Sequence, residues 1–256
     1  MRINQRWRWM GVAVLGLGLP WLALPQETPP EVQAILEKMD KLYRADTSYA
    51  KFSMTIVTPD WQRTLELEAW TEGLDKTFIL IDSPLKDRGT TTLRVKTEMW
   101  NYFPKIDKVM RVPPSMMMGS WMGSDFNNDD LVKESTFIND YTGQLVQPAE
   151  AQPGYYYLEL KPKAATVTVW AKITAVVQKE GYLPVTETYY DEKGKPMRVI
   201  EFKEVKELGG RRIPSVMELT PISKPGHRTT ITYTEAQFNQ PLPANTFSLQ
   251  NLQKKR

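Results

Sequence analysis

The sequence predicts a mainly β protein, a single strongly curved antiparallel sheet or partial barrel of about eleven strands, covered by an N-terminal helix and an irregular Met-rich segment. Three observations carry that expectation. Apolar and polar residues alternate with period two through most of the chain, turn residues recur about every eight to fourteen positions, and no helix-length pattern separates the strands. Short connections make consecutive strands pair antiparallel, because a parallel return needs a long crossover. A sheet of that many strands curls, and its concave apolar face then has to be covered.

Arg2, Arg6 and Arg8 precede an uncharged apolar run from Trp9 to Pro25, the pattern of a secretory signal peptide over residues 1–26. The run is shorter than the roughly twenty residues that span a bilayer, although an uncleaved anchor remains open because no clean A-x-A site precedes Gln26. Residues 27–256 are then expected to form one domain, since no Ser/Gly-rich linker divides them. Thr28-Pro29-Pro30-Glu31 has capping-box spacing, and Val32, Ile35, Leu36, Met39, Leu42 and Tyr43 follow at helical intervals. Strands come next: Phe52, Met54 and Ile56 share one face, as do Leu65, Leu67 and Ala69. Turns are expected at Pro59-Asp60, Gly73 to Asp75, Ser83 to Gly89, Lys96 to Glu98 and Pro104 to Asp107. In the second half they fall at Lys179 to Gly181, Asp191 to Gly194, Gly209-Gly210 and Pro225-Gly226.

The segment Met99 to Leu131 holds six of the ten methionines outside the leader. Methionine is unbranched and polarizable, so a cluster of it makes an apolar surface that re-packs around guests of different shape. Trp100, Tyr102, Met110 and Val112 flank the Pro104 to Asp107 turn, and Pro113-Pro114 ends the strand. Gly119, Gly123 and the polar run Ser124 to Asp130 give the next stretch the character of a loop, which nevertheless carries Met116, Met117, Met118, Trp121, Met122 and Phe126. Apolar side chains on irregular backbone need a cover or a partner. They serve either as a plug packed into the core or as a lid over an apolar cavity. The lid reading makes those six residues the lid and Phe52, Met54, Phe78, Leu80, Trp100 and Tyr102 the candidate cavity wall.

Composition excludes several function classes. With no Cys there is neither a disulfide framework nor an acylated N-terminal cysteine. The formal charge of +3 equals the three leader arginines, which leaves the rest neutral and without the basic footprint of a nucleic-acid binder. The single His227 sits in a turn, Gly119 to Gly123 lacks G-x-S-x-G spacing, and no catalytic set emerges. Asp125, Asn127, Asp129 and Asp130 imitate a calcium loop, but Asp130 stands where the turn glycine belongs and Thr136 where the bidentate Glu belongs. Asn128, Asp129 or Asp130 is better suited to cap a turn starting at Leu131. Trp61, Trp70, Trp100 and Trp170 suit core or cross-strand packing better than sugar stacking. Neither an enzyme, a cofactor nor a metal is expected.

The run from Trp100 through Ser135 resembles the corresponding stretch of the LolA-like outer-membrane lipoprotein-sorting proteins. Similar features follow at Val169 to Ile173, Tyr182-Leu183-Pro184, Tyr189-Tyr190-Asp191 and Leu242 to Leu249. The resemblance implies a half-open antiparallel barrel capped by helices, with an apolar cavity between. It implies a monomeric periplasmic carrier that binds acyl chains of lipoproteins or lipids and moves them toward the outer membrane, between an inner-membrane transporter and an outer-membrane acceptor. The family's charged residue that governs lid closure has no single counterpart, and Arg63, Arg94 and Arg111 all remain open. A related branch implies instead a lipid or hydrophobic molecule exchanged with an exporter of the resistance-nodulation-division type. A lipid-sensing regulatory domain and a structural envelope protein with a filled core are the further readings.

Overall fold

The computed structural model describes residues 27–128, 130, 137–166 and 168–254. The expected leader, Asp129 and Thr136 of the calcium-loop comparison, and Leu131, where the capped turn is expected to start, lie outside the described residues. Helix α1 (Pro30–Tyr43) buries Val32, Ile35, Leu36 and Met39 on one stripe. Its N-cap is Pro29, not Thr28, and no side chain caps it. Pro30 takes the first helical position, where its missing N–H costs nothing. Thr28 Oγ1 instead accepts the Gly143 N–H at 3.0 Å, which ties the start of the helix to a sheet edge.

The strands are β1 (Thr47–Val57), β2 (Gln62–Glu72), β3 (Lys76–Ser83), β4 (Thr91–Val95), β5 (Glu98–Phe103), β6 (Lys108–Arg111) and β7 (Tyr141–Leu145). They continue as β8 (Tyr155–Pro162), β9 (Lys172–Gln178), β10 (Pro184–Tyr190), β11 (Pro196–Leu208), β12 (Arg211–Pro221) and β13 (Arg228–Phe238). All belong to one 13-stranded sheet in the order β6-β5-β4-β3-β2-β1-β13-β12-β11-β10-β9-β8-β7. Every pairing is antiparallel, and the β1–β13 ladder joins the first meander to the second. The sheet is an open, half-barrel structure whose edges are β6 and β7.

Thirteen strands exceed the eleven expected from sequence. The difference lies before Lys179, where β7, β8 and β9 are joined through residues 146–154 and 163–171 rather than by tight hairpins. Elsewhere the turns fall where sequence puts them. Pro104–Ile106 forms a 3-10 turn closed by Asp107 at φ 47, and β6 stops at Arg111 before Pro113.

The two faces of the sheet carry separate apolar clusters. On the concave face one buried cluster joins α1 with Phe52, Met54 and Ile56 of β1, Leu65 and Leu67 of β2, and Leu158, Leu160 and Ile173 beyond. On the convex face Phe78, Leu80, Leu93 and Tyr102 pack with Leu252 of the C-terminal segment, whose carbonyl accepts Thr91 Oγ1–H at 2.7 Å. Strands β3 to β5 are therefore covered on both sides. This explains why β3 reads as a continuous apolar run, Phe78 to Ile81, instead of an alternation.

Candidate ligand cavity

The Met-rich insertion crosses the sheet as a strap, anchored strand by strand. Val112 N–H bonds the Met99 carbonyl of β5 at 2.9 Å, and Trp121 Nε1–H reaches Thr92 Oγ1 of β4 at 3.2 Å. Arg63 of β2 donates to the Met122 carbonyl. Thr229 of β13 accepts the Asp125 N–H at 3.0 Å and donates to Asp125 Oδ2 at 2.8 Å. Finally Arg198 of β11 grips Asp130 with two bonds of 2.7 and 2.8 Å. Within the strap, Trp121 N–H bonds the Phe126 carbonyl at 2.8 Å, and the Asn128 side-chain amide donates to the Met116 and Gly119 carbonyls. Polar side chains thus satisfy an irregular backbone that has no ladder of its own.

Beneath the strap, between α1 and the concave face, lies a cavity of about 400 Å³. Pockets that take small molecules run from about 300 to 1,000 Å³ and are mostly apolar with a few placed polar groups. This one has that character. Leu36 and Met39 come from α1, Phe52 and Met54 from β1, Ile79 from β3, Ile200 and Phe202 from β11, and Ile231 and Tyr233 from β13.

The sequence-derived wall divides between the faces. Phe52 and Met54 line the cavity. Phe78, Leu80, Trp100 and Tyr102 do not; they belong to the convex cluster, and the concave position on β3 is held by Ile79. Period two shows which residues share a face but not which face is concave. Here the register settles it, since Ile79 stands opposite Ala69 while Phe78 stands opposite Trp70.

The lid set also divides. Trp121, 1% exposed, and Phe126 line the cavity. Met117 and Met122 pack, partly buried, against the concave cluster without lining it. Met116 and Met118 point outward, 58% and 45% exposed. Strap residues have no fixed period, so adjacent methionines take different directions.

Sequence reading missed a polar cluster in the far wall. Glu187 and Tyr189 on β10, with Arg198 on β11, all face the cavity. Arg198 lies between two aromatic rings, 4.6 Å from the Trp170 centroid and 4.2 Å from that of Tyr189. Burial works against its charge, but the Asp130 bonds and charge, with Tyr189 and Glu187, outweigh burial and hold its pKa above the ordinary value. Glu187 accepts a 2.7 Å bond from Tyr189 Oη–H. Burial pushes its carboxyl up to about 7, opposed by that bond and by the Arg198 charge. The available signal was a charged residue in the apolar register, Glu187 two positions from Tyr189 and Arg198 two from Ile200.

Arg63, Arg94 and Arg111 do not line the cavity. Arg63 ties down the strap, Arg94 bonds the Leu74 and Lys96 carbonyls, and Arg111 pairs with Glu98. His227 Nδ1 stands 3.7 Å from Asp125 Oδ1, beside the strap anchor. Trp70 packs between Tyr49 and Phe78 as a cross-strand partner. Among the described residues no cluster of His, Cys, Asp and Glu has the makings of a metal site, and no helix is long and apolar enough to cross a membrane.

Solved structures share this architecture. A DUF1329 family protein from Desulfovibrio piger superposes with a TM-score of 0.79 at 22% identity, covering 89% of this chain and 100% of its own. A putative outer membrane lipoprotein-sorting protein domain from Vibrio parahaemolyticus gives 0.73 at 21% identity, over 87% and 98% of the two chains. A LolA superfamily protein from Nitrosomonas europaea gives 0.71 at 21%, over 86% and 98%. No curated protein matches by sequence. A family model described as "Uncharacterized protein" matches residues 73–254, most of the chain and both sides of the strap. The chain belongs to that family, and its fold is LolA-like.

Proposed function

We propose that the protein is a monomeric periplasmic carrier that binds the acyl chain of a lipoprotein or lipid in the cavity under the strap and shields it on the way to the outer membrane. The observation that carries this reading is the cavity of about 400 Å³ itself, lined mostly by apolar side chains and bounded by Trp121 and Phe126. A packed structural protein has no reason to leave such a space, because interiors otherwise close to crystal-like density. Exposing a methylene to water costs about 0.8 kcal/mol, so a long acyl chain costs on the order of 10 kcal/mol that a carrier must offset. The fold shared with a lipoprotein-sorting domain is compatible with this role.

An environment-sensitive fatty-acid probe tests the reading. Saturable binding to the purified protein, reversed by lipid extract, supports a carrier. Absence of saturable binding identifies a closed core.

A further inference from the structure

The charges around the cavity do not balance. Asp40 of α1 pairs at 2.9 Å with Arg44, just past the helix end, and Asp130 pairs with Arg198. Glu187, on β10, forms no ion pair among the described residues, and its one hydrogen bond comes from Tyr189 Oη. The residue is 7% exposed, and it lines the cavity. Arg198 offers a ligand anion little in its place: Asp130 occupies both terminal nitrogens, its remaining Nε is buried, and Trp170 and Tyr189 stack on it. The same cavity has an aromatic wall, Tyr43 of α1 within 6.0 Å of Tyr233, and Tyr233 within 5.5 Å of Phe52, ring centre to ring centre. Tyr43 feels the Glu187 charge, which adds to burial in raising its own pKa.

We propose that Glu187 is a recognition site for a protonated amine, so that the cavity's cargo is an amine-bearing amphiphile. This rests on the carrier reading and narrows its ligand class. A carboxylate in an apolar, aromatic-walled space is stabilised most by a cation that also donates hydrogen bonds. A hydroxyl supplies the donor without the charge. A ligand carboxylate or phosphate meets Glu187 and Asp130 as like charges.

Titration calorimetry with dodecylamine, dodecanol and dodecanoate at about pH 8 tests the assignment. Dodecylamine is expected to bind at least about tenfold more tightly than dodecanol, equivalent to about 1.4 kcal/mol, with dodecanoate weakest. Glu187→Gln should bring the amine and the alcohol to within about threefold of each other. Equal affinities in the wild type, dodecanoate as the tightest ligand, or an amine preference that survives in Glu187→Gln each overturns the proposal. Binding of none of the three overturns the carrier reading as well, whereas equal binding of all three leaves that reading standing. Should the variant not fold, the wild type decides alone. Its amine preference should shrink toward about pH 5 as Glu187 takes a proton, Arg198 staying charged and Tyr43 and Tyr189, raised by burial, staying neutral. Asp40, also raised by burial, faces the same cavity, so Asp40→Asn should keep the pH dependence, and a preference constant with pH overturns the assignment.

Discussion

Arg198 on β11 and Asp130 on the strap meet as a two-pronged pair at 2.7 and 2.8 Å, with 8% and 17% of their side chains exposed. The pair closes the far end of a strap whose first anchor is Val112 on the Met99 carbonyl of β5, in the opposite half of the sheet. Removing one partner leaves the other charge buried, so Asp130→Ala should destabilise the protein by about 3–5 kcal/mol in urea denaturation. Replacing both by apolar residues of similar volume should recover most of that loss. A small effect of the single substitution would show that the strap end is already solvated.

Glu187 makes stability depend on pH with a defined sign. Its folded value, about 7, lies above the ordinary 4.5, so its contribution is fully present below about pH 4.5 and is lost as pH rises through about 7. Glu187→Gln cannot ionise. It should therefore match the wild type near pH 4.5 and exceed it near pH 8 by on the order of 2 kcal/mol, read as a higher urea midpoint. A variant less stable than the wild type at pH 8 would mean that the carboxylate is already compensated.

The methionines differ in what they support. Met116 and Met118 are exposed, so replacing both with Ser should change stability by no more than about 0.5 kcal/mol and leave acyl-probe affinity within about twofold. Trp121 is buried over the cavity, and Trp121→Ala should cost about 3–5 kcal/mol. Thermal melts and probe titration on the same samples separate the two cases. Lost probe binding in the double Ser variant would place the ligand outside the cavity.

Filling the cavity is the converse experiment. Ala69 lines it from β2 opposite Ile79, so Ala69→Phe should weaken acyl-probe binding by at least about tenfold while the sheet stays folded by circular dichroism. Phe78→Leu, on the convex face beside Leu252, should lower stability and leave the affinity alone.

The fold was legible in the chain because period two, turn residues and short connections all pointed to one antiparallel sheet. Phe52, Met54, Leu65 and Leu67 sit on the face their alternation shares. The face that Phe78 and Trp100 occupy was not legible, since β3 is apolar on both sides and only its pairing with β2 distinguishes Ile79 from Phe78. The strap was visible as apolar residues on broken backbone, and its anchors were not. Thr229, Arg63 and Arg198 lie on strands remote in sequence from Asp125, Met122 and Asp130. Glu187 and Arg198 escaped for a related reason: a charged residue in a strand normally marks the solvated face, whereas these two face the cavity.

Native mass spectrometry of the protein purified from its own cell envelope tests the central claim most directly. A carrier should show a population heavier by the mass of one acyl-bearing molecule, released by collisional activation and depleted in Ala69→Phe. A wild-type protein that carries no adduct under these conditions, or an Ala69→Phe variant that carries the same one, would contradict it.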